Sequence, residues 1–130
     1  MLSGVPRALP ALLKAQRLST KAARVGFDWP DDEGVLDKID EEVGELRAAV
    51  TSEGPDRVTA ELGDLLFSVA QLARKLGADP EAVLRAANRK FEGRFRALEA
   101  RFADEGRVVG DVPLADLERI WQEIKDARPV

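Results

Sequence analysis

The sequence predicts an all-α fold, a bundle of about five helices. Its apolar residues recur every three or four positions over long stretches, which is the period of helices that pack on one side. Groups of proline and glycine, such as 52–55, separate these stretches. Little of the chain alternates like a strand, and β-branched residues cluster only near 107–109. Because 130 residues is the length of one domain, we expect a single domain over 1–130.

The first helix is expected to start near Pro10, a favourable first residue, and to end by Val25, with Gly26 terminating it. A loop over 27–32 follows, and it places two aromatic side chains among acids. Pro30 keeps the residue before it out of the helical region, so this loop interrupts the helices. Its aromatic side chains have two interpretations, a plug for the core or a platform for a ligand.

Two long helices are predicted next. The second runs from about Glu33 to Thr51, and the third from Pro55 or Asp56 to about Leu76, with Gly77 ending it. Each carries an apolar stripe at helical spacing. Only a short connection joins them, so we expect an antiparallel pair that packs through the two stripes.

The fourth helix is expected to begin at Pro80, with Asp79 as its cap, and to hold an apolar stripe as far as Phe102. A short last helix follows Pro113, and the chain is expected to fray after Ala127. The stripes are broader than one packing seam needs. They therefore leave apolar surface for self-association.

Composition and charge exclude several functions. The chain has no Cys and no His, which rules out disulfides, Cys/His zinc sites and an imidazole base, so any metal must be held by oxygen. No apolar run approaches the roughly 20 residues of a membrane helix, and the first 14 residues lack the apolar core of a signal peptide. We expect a cytoplasmic protein without a membrane partner. A net charge of −4 argues against general nucleic-acid binding.

The negative charge is concentrated in one segment. Residues 31–64 carry twelve acidic and three basic side chains, whereas residues 1–30 carry one acidic and five basic side chains. Two sets with the same i, i+4, i+7 spacing stand out: Lys38, Glu42 and Glu45 on the second helix, and Arg57, Glu61 and Asp64 on the third. At about 100° per residue, each set lines a strip that borders the apolar stripe.

If the two helices pack through their stripes, four carboxylates converge. Converging carboxylates must take up protons or bind a cation, and Mg²⁺ or Mn²⁺ is the natural cation for oxygen ligands. The alternative is that Lys38 with Glu42 and Arg57 with Glu61 are exposed pairs of little energetic weight. Glu41 points further from the stripe, towards the surface.

A second cluster lies further along the chain. Asn88, Lys90 and Arg94 share the fourth helix, where the two cations can bind phosphate or form a solvated basic face. Trp121 and Lys125 stand one turn apart on the last helix. They form either a base-stacking wall with a phosphate contact or a core anchor with a surface charge.

Four motifs occur in a fixed order along the chain. They are A-A-R-V-G-F-D-W-P at 22–30, K-x-x-E-E-V-G-E at 38–45, E-L-G-D-L-L-F at 61–67 and A-N-R-K-F-E-G-R-F at 87–95. Together they resemble the MazG family of nucleoside triphosphate pyrophosphohydrolases. The resemblance covers about 10–127 in a single copy, and it is closer to the C-terminal, catalytic domain of members that carry two.

This resemblance implies a homodimer or larger assembly and Mg²⁺-dependent cleavage of the bond between the α and β phosphates of a nucleoside triphosphate. The products would be nucleoside monophosphate and pyrophosphate. By position, the implied metal ligands are Glu42, Glu45, Glu61 and Asp64. The implied nucleotide contacts are Lys38, Lys90, Arg94 and Trp121, with Arg57 at a basic position of the family and Lys125 as a further candidate.

The mechanism we expect is attack by water activated on the metal, with Glu41 or one of the metal-binding acids taking the proton. Three alternatives stay open. One is a related all-α diphosphohydrolase for a deoxyuridine or modified triphosphate, and another is a non-catalytic nucleotide-binding or regulatory module. The third is a purely structural bundle, whose stability would not respond to metal.

Overall fold

The computed structural model describes residues 2–127, and this range contains five α-helices and no strand. The prediction of an all-α fold is confirmed. The helices are α1 (Ala11–Ala23), α2 (Asp32–Ser52), α3 (Pro55–Lys75), α4 (Pro80–Ala103) and α5 (Leu114–Ala127). A short 3₁₀ helix at Val109–Asp111, which the sequence did not predict, precedes α5. The predicted fraying after Ala127 lies outside the described residues.

Local chemistry explains where the helices begin and end. Asp31 caps α2, because its Oδ1 accepts a hydrogen bond of 2.9 Å from a backbone N–H of the first turn. Asp79 caps α4 in the same way, also at 2.9 Å. Gly26 and Gly77 follow α1 and α3 with φ of +89° and +77°, the left-handed conformation that ends a helix. The predicted terminators are therefore confirmed.

The chain divides between Val83 and Leu84 into two compact units. In the first unit, α2 and α1 each pack against α3. Only Glu53 and Gly54 separate α2 from α3, so the two helices form the predicted antiparallel hairpin. The core of the second unit is a cluster of buried apolar side chains, Leu98, Phe102, Val112 and Ile120. A single domain over 1–130 stays a prediction.

Only part of the apolar stripes of α2 and α3 is buried among the described residues. Val35, Ala49 and Ala70 are fully buried in the first unit. Several larger members of the same helices are exposed, namely Leu36, Val50, Leu62, Leu66 and Val69. The hairpin thus carries the surplus apolar surface expected from the sequence. Within residues 2–127, no helix is both long and apolar enough to cross a membrane.

Candidate active site

Three carboxylates converge on the hairpin of α2 and α3. One carboxylate oxygen from each of Glu42, Glu45 and Glu61 lies within 4.8 Å of the other two. The first two stand one turn apart on α2, and antiparallel packing brings the third from α3 to the same place. Asp64, the fourth predicted ligand, is exposed and lies outside this group. Its role as a ligand stays a prediction.

Burial distinguishes the members of this carboxylate cluster. Glu42 and Glu61 are only 4% and 1% exposed, whereas Glu45 is exposed. Buried carboxylate oxygens normally accept hydrogen bonds, because desolvation is costly otherwise. Among the described residues, however, Oε2 of Glu42 and Oε2 of Glu61 have no hydrogen-bond partner. The cluster therefore holds buried lone pairs that a cation can use.

Two cations border the cluster, and each pairs with a buried acid. The Nζ atom of Lys38 lies 3.1 Å from Oε1 of Glu42 and 3.4 Å from Oε1 of Glu41. Arg57 forms an ion pair with Glu61 one turn along α3. Because Glu42 and Glu61 are buried, their pairs with Lys38 and Arg57 are not exposed surface pairs. The functional interpretation of the two strips gains support from this burial.

Burial and neighbouring charges shift the pKa of two side chains at the cluster. Burial raises the pKa of Glu61, the neighbouring Glu45 raises it further, and Arg57 lowers it. The hydrogen bond to Glu42 raises the pKa of Lys38. The surroundings of Glu61 thus disfavour its ionised form. Binding a proton or a cation would offset this unfavourable charge.

The predicted contacts on α4 lie in the second unit. Asn88 and Lys90 are exposed, and Arg94, one turn after Lys90, is half-buried. All three predicted residues thus lie on α4, at least partly accessible to water. Their role in binding phosphate stays a prediction.

Trp121 of α5 is half-buried and packs against the apolar cluster of the second unit. Its ring lies beside that of Phe91, with 5.4 Å between the centroids. Lys125, one turn later, is also half-buried. Trp121 thus packs as the core anchor of its second interpretation, while its contact with a nucleotide stays a prediction.

The aromatic loop before α2 is not a plug for the core. Phe27 is 80% exposed and Trp29 is 36% exposed. Between them, Asp28 forms ion pairs with Arg74 and Lys75 of α3, the latter at 3.1 Å. The hydrogen bond from Arg74 is the main reason why the pKa of Asp28 lies below its usual value. No local pattern in the sequence could reveal this anchor, because its partners are far apart along the chain.

Comparison with known proteins decides the family. Residues 31–98 match the family model described as the MazG nucleotide pyrophosphohydrolase domain, a segment that contains the whole carboxylate cluster. The chain belongs to the MazG family. This confirms the resemblance carried by the four motifs.

The similarity extends beyond the segment that matches the MazG family model. A nucleoside triphosphate pyrophosphohydrolase/pyrophosphatase MazG of Thermotoga maritima is 44% identical over 117 residues, which cover 90% of this chain and 45% of the relative. A nucleoside triphosphate pyrophosphohydrolase of Escherichia coli K12 is 42% identical over 128 residues, 95% of this chain and 48% of the relative. The uncharacterized protein YabN of Bacillus subtilis is 41% identical over 97% of this chain and 26% of its own length. The chain spans about half the length of the first two relatives.

Proposed function

We propose that this MazG chain hydrolyses nucleoside triphosphates to nucleoside monophosphate and pyrophosphate with the help of a divalent cation. The observation that carries the proposal is the pair of buried, unpartnered oxygens of Glu42 and Glu61 beside Glu45. Two similar proteins, from Thermotoga maritima and Escherichia coli, are named for the same activity.

The donor set fits a hard divalent cation. It consists of carboxylate oxygens, the ligands that Mg²⁺ and Mn²⁺ prefer, and the chain has no Cys or His to favour a softer metal. Glu42, Glu45 and Glu61 would hold the ion, with Asp64 as the proposed fourth ligand and Mg²⁺ as the proposed metal. When bound, such an ion lowers the pKa of water and offsets phosphate charge.

The cations beside the cluster are assigned to the substrate phosphates. Lys38 and Arg57 are held next to the acids by ion pairs with Glu42 and Glu61. Charge-assisted hydrogen bonds from such groups to phosphate oxygens are strong, so both can orient the triphosphate and stabilise the leaving pyrophosphate. Glu41 is exposed and lies 3.4 Å from Lys38, and it is our candidate for accepting the proton of the attacking water.

The second unit supplies the remaining proposed contacts. Lys90 and Arg94, with Asn88 two residues before Lys90, are assigned to the nucleotide phosphates on the strength of the N-x-K-F-x-x-R motif. Trp121 is assigned to a further contact with the nucleotide, and Lys125 to a phosphate contact.

A homodimer is also proposed. Leu62, Leu66 and Val69 lie at i, i+4 and i+7 on α3, and all three are exposed. Three large apolar side chains on one face form a patch of the kind that protein interfaces cover. Light scattering should give twice the mass of the chain, and Leu66→Glu should shift it towards the monomer; a monomeric wild type would contradict the proposal. The cytoplasmic location and the lack of a nucleic-acid partner stay predictions.

The test of the reaction is to incubate the purified chain with a panel of nucleoside triphosphates and either Mg²⁺, Mn²⁺ or a chelator. Chromatography should show monophosphate and pyrophosphate only where metal is present. Diphosphate with inorganic phosphate would contradict the proposal. Intact nucleotides together with a metal-dependent rise in melting temperature would favour the non-catalytic nucleotide-binding module.

A further inference from the structure

The first unit contains a cavity beside the aromatic loop. It measures about 290 Å³ and is lined by Gly26, by residues 27–29 of the aromatic loop, and by Lys38 and Gln71. Ligand cavities usually measure about 300–1,000 Å³, so this one suits a single flat ring system better than a whole nucleotide.

Lys38 joins this cavity to the carboxylate cluster. The same side chain lines the cavity and reaches Glu42 with its Nζ at 3.1 Å. A ligand that has its phosphates near Lys38 therefore has the cavity within reach of its other end. The site thus has a charged part, the carboxylate cluster, and an aromatic part, the cavity, with Lys38 touching both.

The aromatic part consists of Phe27 and Trp29. Phe27 exposes most of its ring to water, and Trp29 exposes about a third of its surface. Exposed rings of this size gain free energy when an aromatic ligand covers them, and stacking accepts any nucleobase because every base has a π-face. The wall thus has the chemistry to bind a base.

The loop that carries this wall is held in place from both sides. Asp28 is bound to Arg74 by an ion pair, and Nε of Arg74 donates a hydrogen bond of 2.8 Å to Oγ of Ser19. On the other side, a Cβ at Gly34 would lie 3.3 Å from the Trp29 ring, so the missing side chain lets the ring approach α2. A wall that is already ordered loses little entropy when a ligand binds.

Gln71 supplies a polar group to the same cavity. It is half-buried on α3, and its side-chain amide offers one acceptor and two donors. Nucleobases differ in the donors and acceptors along their edges. An amide at the cavity wall can therefore contribute to discrimination between them.

We propose that this cavity binds the nucleobase of the substrate, with Phe27 and Trp29 stacking on the ring and Gln71 hydrogen-bonding its edge. The inference rests on the proposed function, because it takes the triphosphate to lie near Lys38. It makes Gln71 a specificity residue and the aromatic loop a binding element.

Fluorescence can locate the base without any turnover. The chain has two tryptophans, so Trp121→Phe reports Trp29 alone and Trp29→Phe reports Trp121 alone. Each variant would be titrated, with Mg²⁺ present, with the α,β-methylene analogues of ATP and CTP, which lack the cleavable bridge. Inorganic triphosphate, which has no base, is the control.

We expect saturable quenching of Trp29 by both analogues, weaker quenching of Trp121, and none of Trp29 by inorganic triphosphate. Quenching of Trp29 that does not exceed that of Trp121, including none at all, would overturn the inference. Quenching of Trp29 by inorganic triphosphate to the same extent would overturn it as well, since no base is then involved.

Kinetics provide the second test. Phe27→Ala removes an exposed ring and is expected to raise KM at least about fivefold with kcat nearly unchanged, given what stacking on an aromatic side chain contributes. Gln71→Leu should change the ratio of kcat/KM between bases. Val25→Ala is the matched control, because Val25 is exposed two residues before Phe27 but does not line the cavity.

The two proposals fail in different ways. Turnover by the wild type with an unchanged KM in Phe27→Ala and an unchanged base preference in Gln71→Leu overturns the base site and leaves the reaction standing. Saturable quenching of Trp29 without any turnover of nucleotides by the wild type supports the base site and overturns the reaction.

Discussion

The two compact units of this chain bury different kinds of side chain. In the second unit, the buried residues that form the core are all apolar, and they are Leu98, Phe102, Val112 and Ile120. In the first unit, four polar residues are buried along with Val35, Ala49 and Ala70. These polar residues are Ser19, Glu42, Glu61 and Ser68.

The apolar core of the second unit serves stability, whereas the buried polar groups of the first unit do not. Burying apolar surface stabilises a fold, by about 25 cal/mol for each Å² removed from water. A buried carboxylate destabilises it unless hydrogen bonds or opposite charge compensate. The first unit keeps an unpartnered oxygen on both Glu42 and Glu61, although each acid has one cation beside it. We infer that the first unit retains this arrangement because it binds a charged ligand.

The largest expected effect is on turnover, from a change in the first unit. Glu42→Gln keeps the size of the side chain but removes the charge, and it should lower kcat at least about a thousandfold with the helix content unchanged by circular dichroism. Asp64→Asn should do the same if the exposed acid completes the ligand set. Asp37→Asn, on an exposed position of α2, is the control. Normal turnover in both variants would contradict the metal-site proposal.

A change of core volume in the second unit should instead affect folding. Phe102 is 2% exposed, and Phe102→Ala should lower the free energy of unfolding by about 3–5 kcal/mol, measured by urea denaturation. Leu114→Ala, at a position that is 68% exposed, should change it by less than about 0.5 kcal/mol. Equal effects from the two variants would contradict the contrast between core and surface in this unit.

The third prediction concerns pH. Because the folded chain raises the pKa of Glu61, ionising this group opposes folding, and the loss of stability grows as pH rises above the ordinary value of 4.5. Without metal, Glu61→Gln should therefore melt at a higher temperature than the wild type at pH 7. The gap should close as pH falls towards 4.5.

Magnesium should reverse this order. The wild type should gain melting temperature on adding Mg²⁺, whereas Glu61→Gln should gain little, since one ligand is neutral. A variant that is less stable than the wild type at pH 7 without metal would show that the Arg57 pair outweighs burial.

The smallest predicted effect concerns substrate binding by the second unit. Lys90 is exposed on α4, and Lys90→Ala should raise KM about three- to tenfold with little change in kcat, because it removes a phosphate contact but no core packing. Arg85→Ala, also exposed on α4, is the control for loss of charge. A fall in kcat with KM unchanged would assign Lys90 a different role.

The helices could be predicted from the sequence because the forces that set them are local. Apolar residues at a period of 3.6, an Asp before the first turn and a Gly after the last act within a few residues of one another. Asp79 and Gly77 are confirmed in these roles. The same locality explains why the i, i+4, i+7 spacing predicted the candidate acids of the two strips.

Spacing alone could not decide which of those acids meet. The two strips are alike in sequence, yet Glu45 joins the cluster and Asp64 does not, because the distance between oxygens depends on how α2 and α3 pack and on side-chain direction. The same holds for the anchor between Asp28 and Arg74, which joins the aromatic loop to α3.

The sequence by itself determined the all-α class, the helix ends and the family, since each rests on short-range pattern. Only the tertiary structure decided that Glu42 and Glu61 are buried with unpartnered oxygens, and that Lys38 lies between the carboxylates and the aromatic cavity. Burial and proximity arise from packing between segments that are distant in the chain, and no local period encodes them.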